Sequence, residues 1–354
     1  MCGCEAPAHT DFRYNDTVRR VIFAVLLLLG IIFFFAQIEE IQAIVQTTQK
    51  GDWRFLLLAL VVQVIWFINV AASYRIILLA TGIKEKIERL LLLASASNFA
   101  NVVAPTAGVS GMAIFIHEAR RQGHSVGRVT AAGVIYLLTD YAGFLCILSL
   151  GIIVLLRRHN LNTAEIIASA ILVLVALAIT ALMLLGMRSA QTLGIVLAWS
   201  ARQINRLLWN FFHRPYLSEA RAHLFATEIE EGLRELRDNP QNLFPALVLA
   251  LTNKTLLISI LLLVFLSFKA PISIGTLVAG FSVAYLFLIV SPTPSGIGVV
   301  EGVLTLVLRS MYIPLGTAVL ISLTYRGITF WLPLLFGLFA FRRLGRTNDL
   351  KTVI

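Results

Sequence analysis

Val290-Ser291-Pro292-Thr293-Pro294-Ser295-Gly296-Ile297-Gly298 breaks an apolar run that starts at Pro271, and it lines up without gaps against Val103-Ala104-Pro105-Thr106-Ala107-Gly108-Val109-Ser110-Gly111. Four of the nine positions are identical. The segments downstream echo each other as well: Leu138, Thr139, Asp140 and Tyr141 precede Gly143, and Leu323, Thr324, Tyr325 and Arg326 precede Gly327. Short apolar matches arise by chance, so identity alone settles little. The weight comes from the charges around the two breaks, which give them opposite orientations in a membrane.

That a membrane is the solvent follows from bulk. Of 354 residues 58% are hydrophobic and 14% charged, with a mean hydropathy of +0.85, more apolar surface than one soluble core can hide. Apolar stretches long enough to cross about 30 Å of hydrocarbon recur along the whole chain. The net charge of +10 resides in short loops between these spans, where it sets topology, so no nucleic-acid partner is expected. Cys2, Cys4 and Cys146 build neither a disulfide framework nor a zinc site, and no metal or cofactor is expected. The first apolar run, 21–38, lacks a small-residue cleavage site and reads as a retained helix.

Arg13, Arg19 and Arg20 place residues 1–20 in the cytoplasm by the positive-inside rule. A second span, 53–79, returns to the basic loop of Lys84, Lys86 and Arg89. The next apolar stretch, 90–116, has Arg89 before it and Arg120, Arg121 and Arg128 after it, so both ends belong in the cytoplasm. Its middle holds Asn98, Asn101, Pro105, Gly108 and Gly111. It reads as a re-entrant pair of half-helices, with one proline-kinked full span as the alternative. Spans at 130–156 and 166–187 complete a first membrane repeat, 21–187. The polar 188–242 segment follows, an amphipathic linker on the cytoplasmic face in which Trp199 and Trp209 alternate with Arg202 and Arg206. A second repeat, 243–343, has a span at 243–268, a break at 271–312 and a last span at 316–341 that ends at Arg342 and Arg343. The tail, 344–354, is therefore cytoplasmic, and 271–312 enters and leaves from the outside.

The expected fold is thus an all-α polytopic membrane protein with inverted-topology repeats, two re-entrant broken-helix hairpins, and both termini in the cytoplasm. Unwound backbone survives at membrane depth only where protein or a wet cavity satisfies it. Half-helix N-termini bring free N–H groups to such a point, which makes Gly108 to Met112 and Gly298 to Glu301 candidate walls of an anion site. The plain alternative is that these glycines merely let helices pack closely. Pro292, Pro294 and Gly296 belong to the same expected translocation site.

Asp140, Lys254, Glu301 and Arg326 lie within or beside apolar spans, where an ionisable group is costly unless paired or wetted. Asp140 and Arg326 occupy near-equivalent points of the two repeats and could pair across them; Glu301 could instead meet Arg326 or Lys254. A structural ion pair is the bland reading. Catalytic patterns are wanting: Gly296-Ile297-Gly298-Val299-Val300-Glu301-Gly302 is out of register with a dinucleotide fingerprint and follows no strand, so no enzyme is expected. His117 and His124 sit beside Arg120 and Arg121, whose place is at the lipid headgroup surface.

With its run from Pro292 to Gly302, the chain resembles the flippase-like membrane proteins related to the transmembrane domain of lysylphosphatidylglycerol synthase, over roughly residues 21–343. Where that family usually shows a double glycine, Ser295 precedes Gly296. The resemblance implies an inverted-repeat flippase fold and lipid translocation, with Glu301 and Arg326 as the matching functional positions. About ten residues follow the last span, so the soluble aminoacyl-transferase domain of the full synthase is not expected. The function expected is a flippase or scramblase of the cytoplasmic membrane, acting on a phospholipid, an aminoacyl-phospholipid, or an isoprenoid- or hopanoid-linked lipid. The alternatives are an ion-coupled transporter of a small solute, or a membrane partner holding a lipid-modifying enzyme or glycosyltransferase through 188–242.

Overall fold

The computed structural model describes residues 51–103, 109–157, 243–291 and 293–346, with Leu177, Ile195 and Trp199 between them. Among these residues all regular structure is helical. The expectations for 21–38, 166–187 and 188–242, and those for Pro105, Gly108 and Pro292, lie outside the described residues.

The helices are α1 (Trp53–Ala80), α2 (Ile87–Val103), α3 (Val109–Arg121), α4 (Val126–Arg157), α5 (Leu243–Ser267), α6 (Ile274–Val290), α7 (Val299–Ser310), α8 (Leu315–Arg326) and α9 (Leu332–Arg346). A 3₁₀ turn, Pro294–Gly296, precedes α7, and a π turn, Gly327–Trp331, joins α8 to α9 into one continuous span. Four described helical stretches are long and apolar enough to cross a membrane: Trp53–Ala80, Val126–Arg157, Phe244–Ser267 and Leu315–Leu344. The order long, short, short, long therefore occurs twice. Asp52 starts α1, its Oδ1 accepting from the Arg54 N–H at 3.0 Å, and Leu57, Leu58, Val61, Val64, Ile65 and Ile68 form an exposed apolar face suited to lipid. Helix α4 begins earlier than hydropathy suggests because Ser125 Oγ accepts from the Arg128 N–H at 3.3 Å.

Helices α1 and α5 pack along their length and run antiparallel: the Asp52 N–H donates to the Ser267 carbonyl at one end (3.0 Å), and Asn69 Nδ2 donates to the Leu249 carbonyl further along (3.0 Å). The other packings repeat between the halves. Helix α2 packs on α3 and α9, while α6 packs on α7 and α4. Small residues permit both cross-half contacts. Gly151 of α4 lies against Ser282 of α6, whose Oγ donates to the Ile147 carbonyl at 3.2 Å. Gly337 of α9 lies against the Ser95 carbonyl and Phe99 of α2. The α1–α2 and α3–α4 connections and the end of α9 share one apolar cluster, with Ile77, Leu90, Phe115, Ala119 and Val129 beside Leu344, so Lys84, Lys86, Arg120, Arg121, Arg342 and Arg343 gather at one end of the molecule. Glu118 pairs there with Arg89 and sits 4.0 Å from Arg121.

Candidate functional site

In the second half the chain leaves α6 at Val290 through a turn stitched by side chains: the Thr293 N–H donates to Ser291 Oγ (3.2 Å), and the two hydroxyls lie 2.8 Å apart. The backbone then takes left-handed values at Ser295 (φ 49°), Gly296 (φ 69°) and Gly298 (φ 75°), which glycine adopts freely and serine does not. This turn delivers Glu301 into the first turn of α7, where the helix dipole favours its charge. Arg326, at the end of α8, donates from Nε to Glu301 Oε1 at 2.5 Å and from Nη2 to the Ser295 carbonyl at 3.0 Å, and its guanidinium lies 4.4 Å from the Phe330 ring centre. Arg326 is 4% exposed, so the arginine ties the broken backbone to the span that follows it. Glu301 Oε2 is buried and takes no hydrogen bond among the described residues.

The first break is held differently. Gly111 N–H donates to Asn101 Oδ1 at 2.7 Å, and Ser97 Oγ donates to the Gly111 carbonyl at 2.9 Å. Both backbone groups of Gly111 are thereby satisfied from α2, and α3 folds back against α2. Asn101 supports the break, whereas Asn98, one turn earlier, lines a cavity.

A second ion pair joins the halves. Near the midpoint of α5, Lys254 Nζ donates to Asp140 Oδ1 (2.7 Å), Asp140 Oδ2 (2.8 Å) and the Tyr285 hydroxyl (2.6 Å). The ammonium also sits 4.1 Å from the Tyr285 ring centre, and Asn253 Nδ2 reaches Asp140 at 3.4 Å. The expected Asp140–Arg326 pair is not formed. Helix α5 packs against both α4 and α8, so its lysine captures Asp140 while Arg326 folds onto α7 of its own half. Of the alternatives for Glu301, Arg326 is the partner and Lys254 is not.

Between these pairs lies a cavity of about 260 Å³ whose wall includes Trp66, Asn98, Tyr285, Ser295, Tyr325, Arg326 and Phe330. Both halves contribute to it, and both ion pairs reach it, one through Arg326 and the other through Tyr285. Gly296 is buried beside it, Pro294 lies in the 3₁₀ turn, and Gly298 is exposed at the start of α7. Arg120 and Arg121 are exposed, away from the cavity at the basic end. Sequence reasoning passed over Tyr285 and Trp66. Tyr285 is the sole tyrosine of α6, a polar tip in an uncharged helix, and that was the available signal. Trp66 offered none, being one aromatic in an apolar span. Among the described residues, no group of three or more His, Cys, Asp or Glu is placed to hold a metal.

The family model for the lysylphosphatidylglycerol synthase TM region matches residues 21–337. The chain belongs to that family. Asp140, Lys254, Glu301, Arg326 and every residue lining the cavity fall inside the stretch of this chain matched to the lysylphosphatidylglycerol synthase TM family. The family is a lipid-related transmembrane region, in keeping with a multi-pass membrane protein. No curated protein matches the chain in sequence.

Proposed function

We propose that this protein moves a polar-headgroup lipid across the cytoplasmic membrane, the headgroup passing through the cavity between two inverted halves while the acyl chains stay in lipid. The observation that carries this is the cavity, walled by both halves and reached by two buried ion pairs. Inversion is supported by the antiparallel course of α1 and α5, which hold equivalent places in the two halves. Re-entrance is supported by length: α2 and α6 have 17 residues each, about 25 Å, and α3 and α7 are shorter, so none crosses about 30 Å of hydrocarbon alone. Each folds back on its partner instead. The basic end then faces the cytoplasm, with Arg120 and Arg121 at headgroup level.

The test is transbilayer movement of fluorescent lipids in proteoliposomes, with an isoprenoid phosphate in the panel. Wild type is expected to move at least one lipid, and Glu301→Gln and Arg326→Ala to slow it about tenfold or more, since a hydrogen bond to a charged group contributes about 1.5–3 kcal/mol. An anionic headgroup moving outward gains about 2.3 kcal/mol per charge per 100 mV, enough to drive movement without ATP. A wild type that moves none of the panel, with or without an imposed potential, would sink this reading and leave the solute transporter or partner protein.

A further inference from the structure

We infer that the cavity between the halves is a phosphate site, built by Arg326, Tyr285 and Asn98, and that the lipid seats its headgroup phosphate there. The lipid as source of that phosphate rests on the function proposed above; the chemistry of the site does not.

The polar groups of the wall are one guanidinium, which only donates, and hydroxyls and an amide, which can do either. Arg326 is fixed on one edge by Glu301 and the Ser295 carbonyl, and its Nη1 takes no hydrogen bond among the described residues. Trp66 adds its ring to the wall, while its indole N–H is closed off from the cavity and has no acceptor among the described residues. The Tyr285 hydroxyl accepts from the Lys254 ammonium at 2.6 Å and donates to Asp140 Oδ2 at 3.4 Å, a long bond that a closer phosphate oxygen would replace. Asn98 adds an amide that takes no hydrogen bond among the described residues.

Among the described residues no carboxylate lines the cavity, and Asp140 and Glu301 are each paired with a cation. A buried donor left without an acceptor is costly, so the fitting occupant brings oxygens and negative charge. Phosphate supplies several acceptor oxygens at once, and the guanidinium fork matches their spacing. An ammonium headgroup would find no carboxylate to receive it.

The test is calorimetric titration of the purified full chain in a nonionic detergent with dioctanoyl phosphatidic acid, dioctanoylglycerol and inorganic phosphate. Phosphatidic acid is expected to bind about tenfold or more tightly than dioctanoylglycerol. Asn98→Leu keeps the size and removes the amide; Tyr285→Phe removes only the hydroxyl. Each is expected to weaken phosphatidic acid severalfold and leave dioctanoylglycerol unchanged. Equal affinity for the two lipids, or indifference of both variants, overturns the site. Inorganic phosphate binding as tightly as phosphatidic acid overturns the lipid as its source. If lipid movement fails in proteoliposomes while this preference persists, translocation is lost and the phosphate site stands.

Discussion

Lys254 reaches Asp140 from α5 with no solvent contact, and its three N–H donors are taken by two carboxylate oxygens and the Tyr285 hydroxyl. Two opposite charges taken out of water together cost much less than one, so removing a single partner is the severe change. Asp140→Asn or Lys254→Met alone is expected to destabilise the protein by about 3–5 kcal/mol, because a buried charge is left uncompensated. Asp140→Leu combined with Lys254→Met should recover most of that loss while still impairing lipid movement. Thermal unfolding in detergent checks it. Singles that melt no lower than the double would mean that the two charges do not depend on each other.

At the scale of elements, the closest crossings decide the assembly. A Cβ on Gly337 of α9 would fall 2.5 Å from the Ser95 carbonyl oxygen and 2.8 Å from the Phe99 Cβ, backbone and near-backbone atoms that cannot swing aside. Gly337→Ala is therefore expected to push α9 off α2, at a cost of about 1–3 kcal/mol from overpacking, read as a lowered melting temperature. Gly302→Ala, where an added Cβ meets open space, is the control that should melt like wild type. Among the described residues, the long spans and the ends of α2 and α6 were legible in sequence, because proline, glycine and flanking charge act locally on the backbone. The pairing of charges was not. Asp140 and Arg326 look equivalent along the chain, but what each meets is set by α5 packing between them, a long-range fact that no local pattern carries. The π turn at Gly327–Trp331, which follows Arg326 and includes the Phe330 ring beneath its guanidinium, left no sequence signal either.

At the scale of the whole molecule, the proposed inversion makes a statement about sides that can be read directly. The α1–α2 connection at Lys84 and the α5–α6 connection at Ile272 hold the same place in the two halves, and both residues are exposed. Since α1 and α5 run antiparallel, these connections fall at opposite ends of the molecule. Tyr312, 88% exposed between α7 and α8, corresponds in the same way to the α3–α4 connection beside His124. With Cys2, Cys4 and Cys146 replaced by serine, a single cysteine at Lys84 should react with a membrane-impermeant maleimide in inside-out vesicles alone. One at Ile272 or Tyr312 should react in right-side-out vesicles alone. Labelling of Ile272 and Tyr312 from the same side is the decisive part, because a helix pair that enters and leaves on one face puts both its ends there. Were Tyr312 to label from the side of Lys84, α6 and α7 would cross as one span, the halves would not be inverted, and the cavity would need a different path for the headgroup.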